Sequence, residues 1–257
     1  MTPTVIDDIE TRREGGTLLV RFARAAKKNA LTLAMYERLC TVMEEAAADR
    51  EVKAVVFSST SETFTAGNDL GDFMQSPPTG EDAPVFRFLK AVLAFEKPLL
   101  AAVDGKGVGI GLTLLLHCDF VYVTERASLV APFVNLGLVP EAASSLLLPS
   151  LLGHRRAAEV LMLGEPISGP RAVELGLANA VLPPDAVEKT ALEVARVLSE
   201  KPPTALKLTK ALLKDRAAIS QRMQEEGRHF VAQLTSPEVA EAITAFFEKR
   251  KPDFSKL

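Results

Sequence analysis

The sequence predicts an α/β domain followed by a helical region, on three observations. Short β-branched runs alternate with helical patterns through the first two hundred residues, as strands covered by helices do. The Lys201-Pro202-Pro203 break ends that alternation, and up to Pro252 the chain is rich in Ala, Leu, Lys, Glu and Arg with no strand-like segment. With 257 residues, 47% of them hydrophobic, there is enough apolar surface for a sizeable core.

The elements follow in order. TLLVRFA (17–23) is the first expected strand, and helix 32–48 follows, started by Thr32 and carrying Leu33, Tyr36, Leu39, Cys40 and Met43 at helical spacing. VKAVVFSS (52–59) is a strand, 83–95 a helix opening at Pro84, PLLAAVDG (98–105) a strand, and 110–117 a short apolar helix. DFVYVT (119–124) and ANAVL (178–182) are further strands, separated by helices 141–152 and 155–163 that stop at Gly153 and Gly164. The division expected is a core over 1–200 and a helical region over 201–257. That region is either a cap on the same chain or an oligomerisation arm, because long amphipathic helices need an apolar surface to cover.

Composition narrows the function. A net charge of -3, no Trp and two Tyr offer no field or stacking platform for a phosphate backbone, so no nucleic-acid partner is expected. Cys40 and Cys118 lie far apart, and His117, His154 and His229 make no spaced cluster with them, so no metal site is expected and a reducing compartment is. Asp7, Asp8, Glu10, Arg12 and Arg13 stand where a signal peptide needs an apolar run. GVGIGLTLLL (107–116) is too short and too glycine-rich to span a bilayer, so no membrane partner is expected. Ser255-Lys256-Leu257 spell a peroxisomal import tripeptide. The expected location is cytoplasmic, or peroxisomal in a eukaryote.

Three segments carry chemistry. In FTAGNDL (64–70), Gly67 permits a positive φ or a close backbone approach, and Asp69 can open a helix; such a turn can leave the Asn68 N–H pointing outward. On its own it reads first as an ordinary turn capped by Asp69. DGKGVGIGLTLLLHCD (104–119) runs a strand end through four alternate glycines into an apolar helix, whose N-terminus offers unpaired N–H groups to a developing anion. Neither a dinucleotide fingerprint nor a P-loop fits its spacing, while close helix packing does. Finally, APFVNLGLVPEAASS (131–145) holds Glu141, the only Asp, Glu, Lys or Arg between Arg126 and Arg155. As an acid following Pro140 it fits the first turn of a helix; amid Leu136, Leu138, Val139 and Leu146 to Leu148 it also fits a base with a raised pKa. Asp69 reads as structural, and His117 and His154 as packed or surface groups.

Together these segments resemble the enoyl-CoA hydratase/isomerase, or crotonase, superfamily. The resemblance spans nearly the whole chain, from KKNALTLAM (27–35) through 97–119 and 127–157 to AFFEKRKPDF (245–254). It implies a crotonase (ClpP-like) spiral of strand-strand-helix turns forming two sheets, with a helical C-terminal region that builds trimers or hexamers. It also implies an acyl-CoA thioester substrate whose carbonyl sits between two backbone N–H groups, here those of Asn68 and Ile110. Coenzyme A would enter as part of the substrate, its adenine end near Ala66, and no separate cofactor is implied. Gly67, Gly109, Phe133 and Leu136 would line the substrate site, and Lys249 and Lys251 would reach CoA phosphates.

Hydratases of this family place two glutamates where this chain has Thr113 and Phe133. The subgroup most resembled is the peroxisomal-type isomerase that converts 3-enoyl-CoA to trans-2-enoyl-CoA, with Glu141 after Pro140 as the single acid/base. Other thioester reactions of the superfamily, and a catalytically silent acyl-CoA-binding role, remain alternatives.

Overall fold

The computed structural model describes residues 3–78, 80 and 82–257, the side chain of Lys256 in the import-like tripeptide excepted. A hairpin ladder opens the chain: β1 (Thr4–Ile6), β2 (Ile9–Glu14) and β3 (Thr17–Phe22) pair antiparallel in sequence order. Helix α1 (Leu33–Ala48) starts where Thr32 accepts a hydrogen bond from Met35 N, and buries Met35, Tyr36, Leu39, Cys40, Val42, Met43 and Ala46 along one face.

Three strand-strand-helix turns then follow, as the fold class requires. The first is β4 (Ala54–Ser59), β5 (Thr63–Thr65) and α2 (Leu70–Gln75), after which α3 (Pro84–Ala94) packs on α1. The second is β6 (Leu99–Val103), β7 (Lys106–Val108) and α4 (Ile110–Thr113), continued by a 3-10 turn over Leu114–His117. The third is β8 (Phe120–Thr124), β9 (Ser128–Val130), a 3-10 turn over Val134–Leu136 and α5 (Ser144–Leu152). Each turn gives its first strand to one sheet and its second to another. The larger sheet has the order β1-β2-β3-β4-β6-β8 with one further strand beyond β8, and β4, β6 and β8 run parallel. In the smaller sheet β5, β7 and β9 run parallel side by side. Buried on both faces, β4 and β6 are the continuous apolar runs AVVF and LLAAV expected of central parallel strands.

The chain continues through α6 (His154–Ala158), a π turn over Glu159–Leu163, β10 (Ile167–Ser168), α7 (Gly169–Glu174) and β11 (Ala180–Leu182), the last strand of the larger sheet. Helix α8 (Pro184–Ser199) is absent from the predicted elements; its Val187, Ala191 and Ala195 cover Leu19, Ala54, Val56, Leu100 and Ala102 on one face of the large sheet. After the prolines come α9 (Pro203–Leu213), α10 (Arg216–Gln233) and α11 (Pro237–Phe247). Helix α10 returns to the main core, where Phe230 stacks edge-on against Phe73 and Phe86, a burial worth about 2 kcal/mol. Lys210 of α9 reaches Asp119 at 2.8 Å and the Lys97 carbonyl at 2.7 Å, fastening the helical region to the sheet. Among the described residues no helix is long and apolar enough to cross a membrane.

One expectation is corrected. Helix 141–152 begins at Ser144, so Glu141 does not lie in its first turn. Ala142 (φ 58) and Ala143 (φ 57) adopt the left-handed conformation instead, costing about 1 kcal/mol each in a residue with a Cβ.

Candidate active site

The site lies beyond the C-terminal ends of β5, β7 and β9, where a parallel sheet leaves its loops free to meet a ligand. From β5 the chain turns at Gly67, whose φ of 86 needs glycine and whose added Cβ would sit 3.0 Å from the Val108 carbonyl oxygen. Leu31 bridges this turn: its N–H donates to the Gly67 carbonyl at 2.8 Å, and its carbonyl accepts from Asp69 N at 2.9 Å. Strand geometry then directs the intervening Asn68 N–H to the opposite side. The side chain is held too, since Tyr36 Oη donates to Asn68 Oδ1 at 2.6 Å. Asp69 accepts from Gly71 N and Asp72 N and pairs with Arg24 at 2.6 Å, which holds its carboxyl below the usual range and commits it to structure.

From β7 the chain turns at Gly109 (φ 56, ψ -113), which anchors to β9 by donating its N–H to Val130 O at 2.8 Å. The Gly109 carbonyl accepts from Leu112 N and Thr113 N, opening α4. That leaves Ile110 as the first helical residue, with a main-chain N–H that has no intrahelical acceptor. Among the described residues, neither the Asn68 nor the Ile110 N–H donates to a protein acceptor.

The third loop brings Phe133, Leu136 and Glu141. Glu141 is 7% exposed. Its Oε1 accepts a hydrogen bond from Thr113 Oγ1, three residues after Ile110 on the same short helix. Its Oε2 is buried with no partner. Burial pushes the Glu141 carboxyl up to about 8, opposed by the Thr113 hydroxyl and assisted by the charge of Glu226. Isolation from charge along the sequence is therefore not isolation in space. Glu226 of α10, itself 5% exposed, accepts from Ala143 N at 2.6 Å and from Ser145 N at 2.9 Å. From the other side His117 Nε2 donates to Ala142 O at 2.8 Å; burial lowers this imidazole to about 4, so it is a neutral packing group.

A cavity of about 550 Å³ collects these parts, and Ala66, Gly67, Asn68, Gly109, Ile110, Phe133, Leu136 and Glu141 all line it. A second, of about 600 Å³ between α3 and α10, shares Phe86 and Glu141 with the first and has Leu89, Leu93, Met223 and Val231 in its walls. Lys249 and Lys251 are exposed and line neither cavity; Phe246 and Phe247, 58% and 60% exposed, line the first. Among the described residues no group of three or more His, Cys, Asp or Glu is placed to hold a metal ion. Tyr36 and Glu226 had not been singled out from sequence. Glu226 continues the inward stripe Ile219, Met223, Glu226, Phe230 of α10, and an acid in such a stripe is the signal that marks it.

Unpaired N–H groups beside a low-dielectric cavity stabilise a developing oxyanion, and a half-bound, neutral-range carboxyl can accept and return a proton. The Thr113 hydroxyl tunes that carboxyl: in Thr113→Val, Glu141 is expected to titrate at higher pH than in the wild type, by about the 1.5 kcal/mol of a hydrogen bond to a charged group. Carbon NMR of the labelled carboxyl reads this directly, and an unchanged or lowered titration would show that the hydroxyl does not bond the ionised form.

A sequence profile described as enoyl-CoA hydratase/isomerase matches residues 12–256. The chain belongs to this family. Among solved structures, OdaA of Pseudomonas aeruginosa superposes on it with a TM-score of 0.91 at 47% identity, over 94% of this chain and 99% of that one. Enoyl-CoA delta isomerase 2 of Rattus norvegicus is 33% identical over 247 residues, 93% of this chain and 63% of the rat protein. The chain thus spans less than two thirds of that relative. The 2,3-dehydroadipyl-CoA hydratase of Escherichia coli (strain K12) is 31% identical over 252 residues, 97% of this chain and 99% of the other. An isomerase and a hydratase stand at similar distance, so membership of the enoyl-CoA hydratase/isomerase family does not by itself fix the reaction.

Proposed function

We propose that this protein is an enoyl-CoA isomerase that moves the double bond of a 3-enoyl-CoA to the trans-2 position, with Glu141 as its single acid/base. The observation that carries the reading is Glu141 Oε2, a buried carboxylate oxygen without a partner in a cavity also lined by Asn68 and Ile110. In the first step Oε2 takes a proton from C2 of the substrate. The C–H electrons form a C1–C2 double bond as the C1–O π pair moves onto the thioester oxygen, giving a dienolate whose C3–C4 double bond is still in place and whose charge is held by the N–H groups of Asn68 and Ile110. The C2–C3 double bond forms in the second step, as the C3–C4 π pair takes the proton at C4. Glu141 then returns the proton to C4, and the charge leaves the oxygen as the carbonyl re-forms. One proton leaves and one comes back, so the balance needs no cofactor; coenzyme A is part of the substrate.

Hydration needs a positioned water and, in the family's usual form, two glutamates. The positions that resemble them hold Thr113, whose hydroxyl is spent on Glu141, and Phe133, an apolar wall of the cavity. The only other carboxylate lining that cavity among the described residues is Asp69, already engaged by Arg24. These features favour isomerisation. The acyl chain would pass Glu141 toward the second cavity between α3 and α10. A trimer or hexamer built on the helical region is part of the same reading, supported by Leu208, Leu212 and Leu213 exposed on α9.

The assay is direct. Incubated with 3-hexenoyl-CoA, the wild-type protein is expected to generate the absorbance of a conjugated 2-enoyl thioester with no change in mass. Hydration of trans-2-hexenoyl-CoA, seen as a product heavier by one water, without isomerisation of 3-hexenoyl-CoA would make it a hydratase, and binding of both thioesters without turnover of either would make it a silent acyl-CoA-binding protein.

A further inference from the structure

The turn that aims Glu141 is an unusual one to leave unsupported. Ala142 and Ala143 are consecutive left-handed residues, neither of them glycine, and such a conformation persists only when its surroundings over-determine it. Within the turn, Ser144 N and Ser144 Oγ both donate to Glu141 O, at 3.0 and 2.7 Å. His117 holds Ala142 O from the core side. The remaining support comes from α10, more than eighty residues further along the chain, where Glu226 takes Ala143 N on one oxygen and Ser145 N on the other.

We propose that Glu226 is a positioning residue of the proton-transfer site: its bidentate grip on Ala143 N and Ser145 N fixes the left-handed turn and with it the direction of Glu141. The inference rests on the reading of Glu141 as the proton carrier. A buried acid is an expensive way to hold two amides, all the more beside a second buried acid, and a structural role alone does not call for the charge. Burial raises the Glu226 carboxyl above its ordinary value, opposed by its hydrogen bonds to Ser145 and Ala143 and by the charge of Arg222, which sits on the same helix and reaches Ser145 Oγ at 3.1 Å. The ionised Glu226 in turn raises Glu141. The other groups facing the pair are Thr113 from α4, Tyr36 from α1, the neutral His117, behind which Lys214 and Lys210 lie, and, around the second cavity that Glu141 also lines, Lys90 of α3 and Arg216 and Arg228 of α10. Turn and charge thus reach Glu141 through the same side chain.

The test compares Glu226→Gln and Glu226→Asp with the wild type, measuring kcat and KM for 3-hexenoyl-CoA across pH and the affinity for hexanoyl-CoA. Gln removes the charge and can accept from only one of the two amides. Its kcat is expected to fall by about tenfold to a hundredfold, as displacement of a reacting group does, with hexanoyl-CoA affinity within about threefold of wild type. The rising limb of its pH profile is expected to move to lower pH. Asp keeps the charge and shortens the reach, so its kcat falls while the limb stays in place. Wild-type kcat and limb in Glu226→Gln, or a loss of thermal stability alone, would overturn the proposal. Should the Gln variant not fold, wild-type kcat in Glu226→Asp overturns it. Failure of the underlying reading looks different: Glu141→Gln then keeps its activity whatever Glu226 does, whereas an inactive Glu141→Gln beside an unaffected Glu226→Gln sinks only the role of Glu226.

Discussion

Isomerisation of 3-hexenoyl-CoA by Glu141→Gln is expected to fall by about a thousandfold or more, with KM nearly unchanged. A positioned acid/base typically contributes about 10²–10⁴ in rate, and here one carboxyl performs both the removal at C2 and the return at C4, so its loss belongs near the upper end. Gln is close in shape, keeps an acceptor for Thr113 and cannot carry the proton, which confines the change to the chemical step. The same substitution has an opposite effect on stability. The folded protein holds the Glu141 proton up to about pH 8, against an ordinary value of 4.5. Below pH 4.5 the group is protonated folded and unfolded alike and contributes no difference. As pH rises from 4.5 to about 8 the unfolded chain releases the proton and the folded protein retains it, so wild-type stability falls, and above about 8 the penalty is complete. Glu141→Gln lacks that penalty and is expected to be more stable at pH 8 by roughly 1–3 kcal/mol, converging with the wild type near pH 4.5. Thermal unfolding at the two pH values reads the difference. A variant that retains turnover removes Glu141 from the mechanism; one less stable at pH 8 shows that the ionised carboxylate stabilises the fold.

The larger sheet was readable from sequence because its central strands are long and doubly buried. AVVF and LLAAV are uninterrupted apolar runs, and the stripe of α1 repeats at helical spacing. The smaller sheet was not: β5, β7 and β9 are three residues each, too short for any period to register, yet their ends deliver all three loops of the site. The N-terminal strand β2, IETRRE, carries its charge because its side chains are only partly buried, which hides a strand from a hydrophobicity pattern.

Local chemistry explains the site in the same way. Glycines 67 and 109 announce positive φ and could be read as loops that free an N–H. Ala142 and Ala143 announce nothing, since alanine favours helix, and so Pro140-Glu141 looked like the helix start that the structure puts at Ser144. Glu226 is chemically the same as the exposed Glu225 beside it in sequence; only its place in the stripe of Ile219, Met223 and Phe230, on which α10 packs against α3 and α5, separates the two.

Ile110→Pro tests the other half of the chemistry. The donor assigned to Ile110 is a main-chain N–H, so an ordinary side-chain change leaves it in place, and proline is the substitution that deletes it. Position 110 tolerates that change locally: it is the first residue of α4, where the amide makes no helical bond and proline's fixed φ suits the helix. The preceding Gly109 keeps its own N–H on Val130 O, and Thr113 still bonds the Gly109 carbonyl, so the loop and the Glu141 anchor survive. What is lost is one of two donors to the thioester oxygen, for which the expected fall in kcat is about 10²–10³. Ile110→Val is the control, since it keeps the N–H and sacrifices one methylene of a buried side chain, at about 1 kcal/mol of stability. Asn68→Ala supplies the complementary control on the other loop, losing the Tyr36 contact and retaining its amide. A folded Ile110→Pro protein that turns over at the rate of Ile110→Val would mean that the α4 N-terminus does not meet the developing charge. A collapse in Pro alone, with hexanoyl-CoA affinity kept, separates stabilisation of the dienolate from binding of the ground-state thioester, because only the former gains most of its hydrogen-bond energy as charge reaches the oxygen.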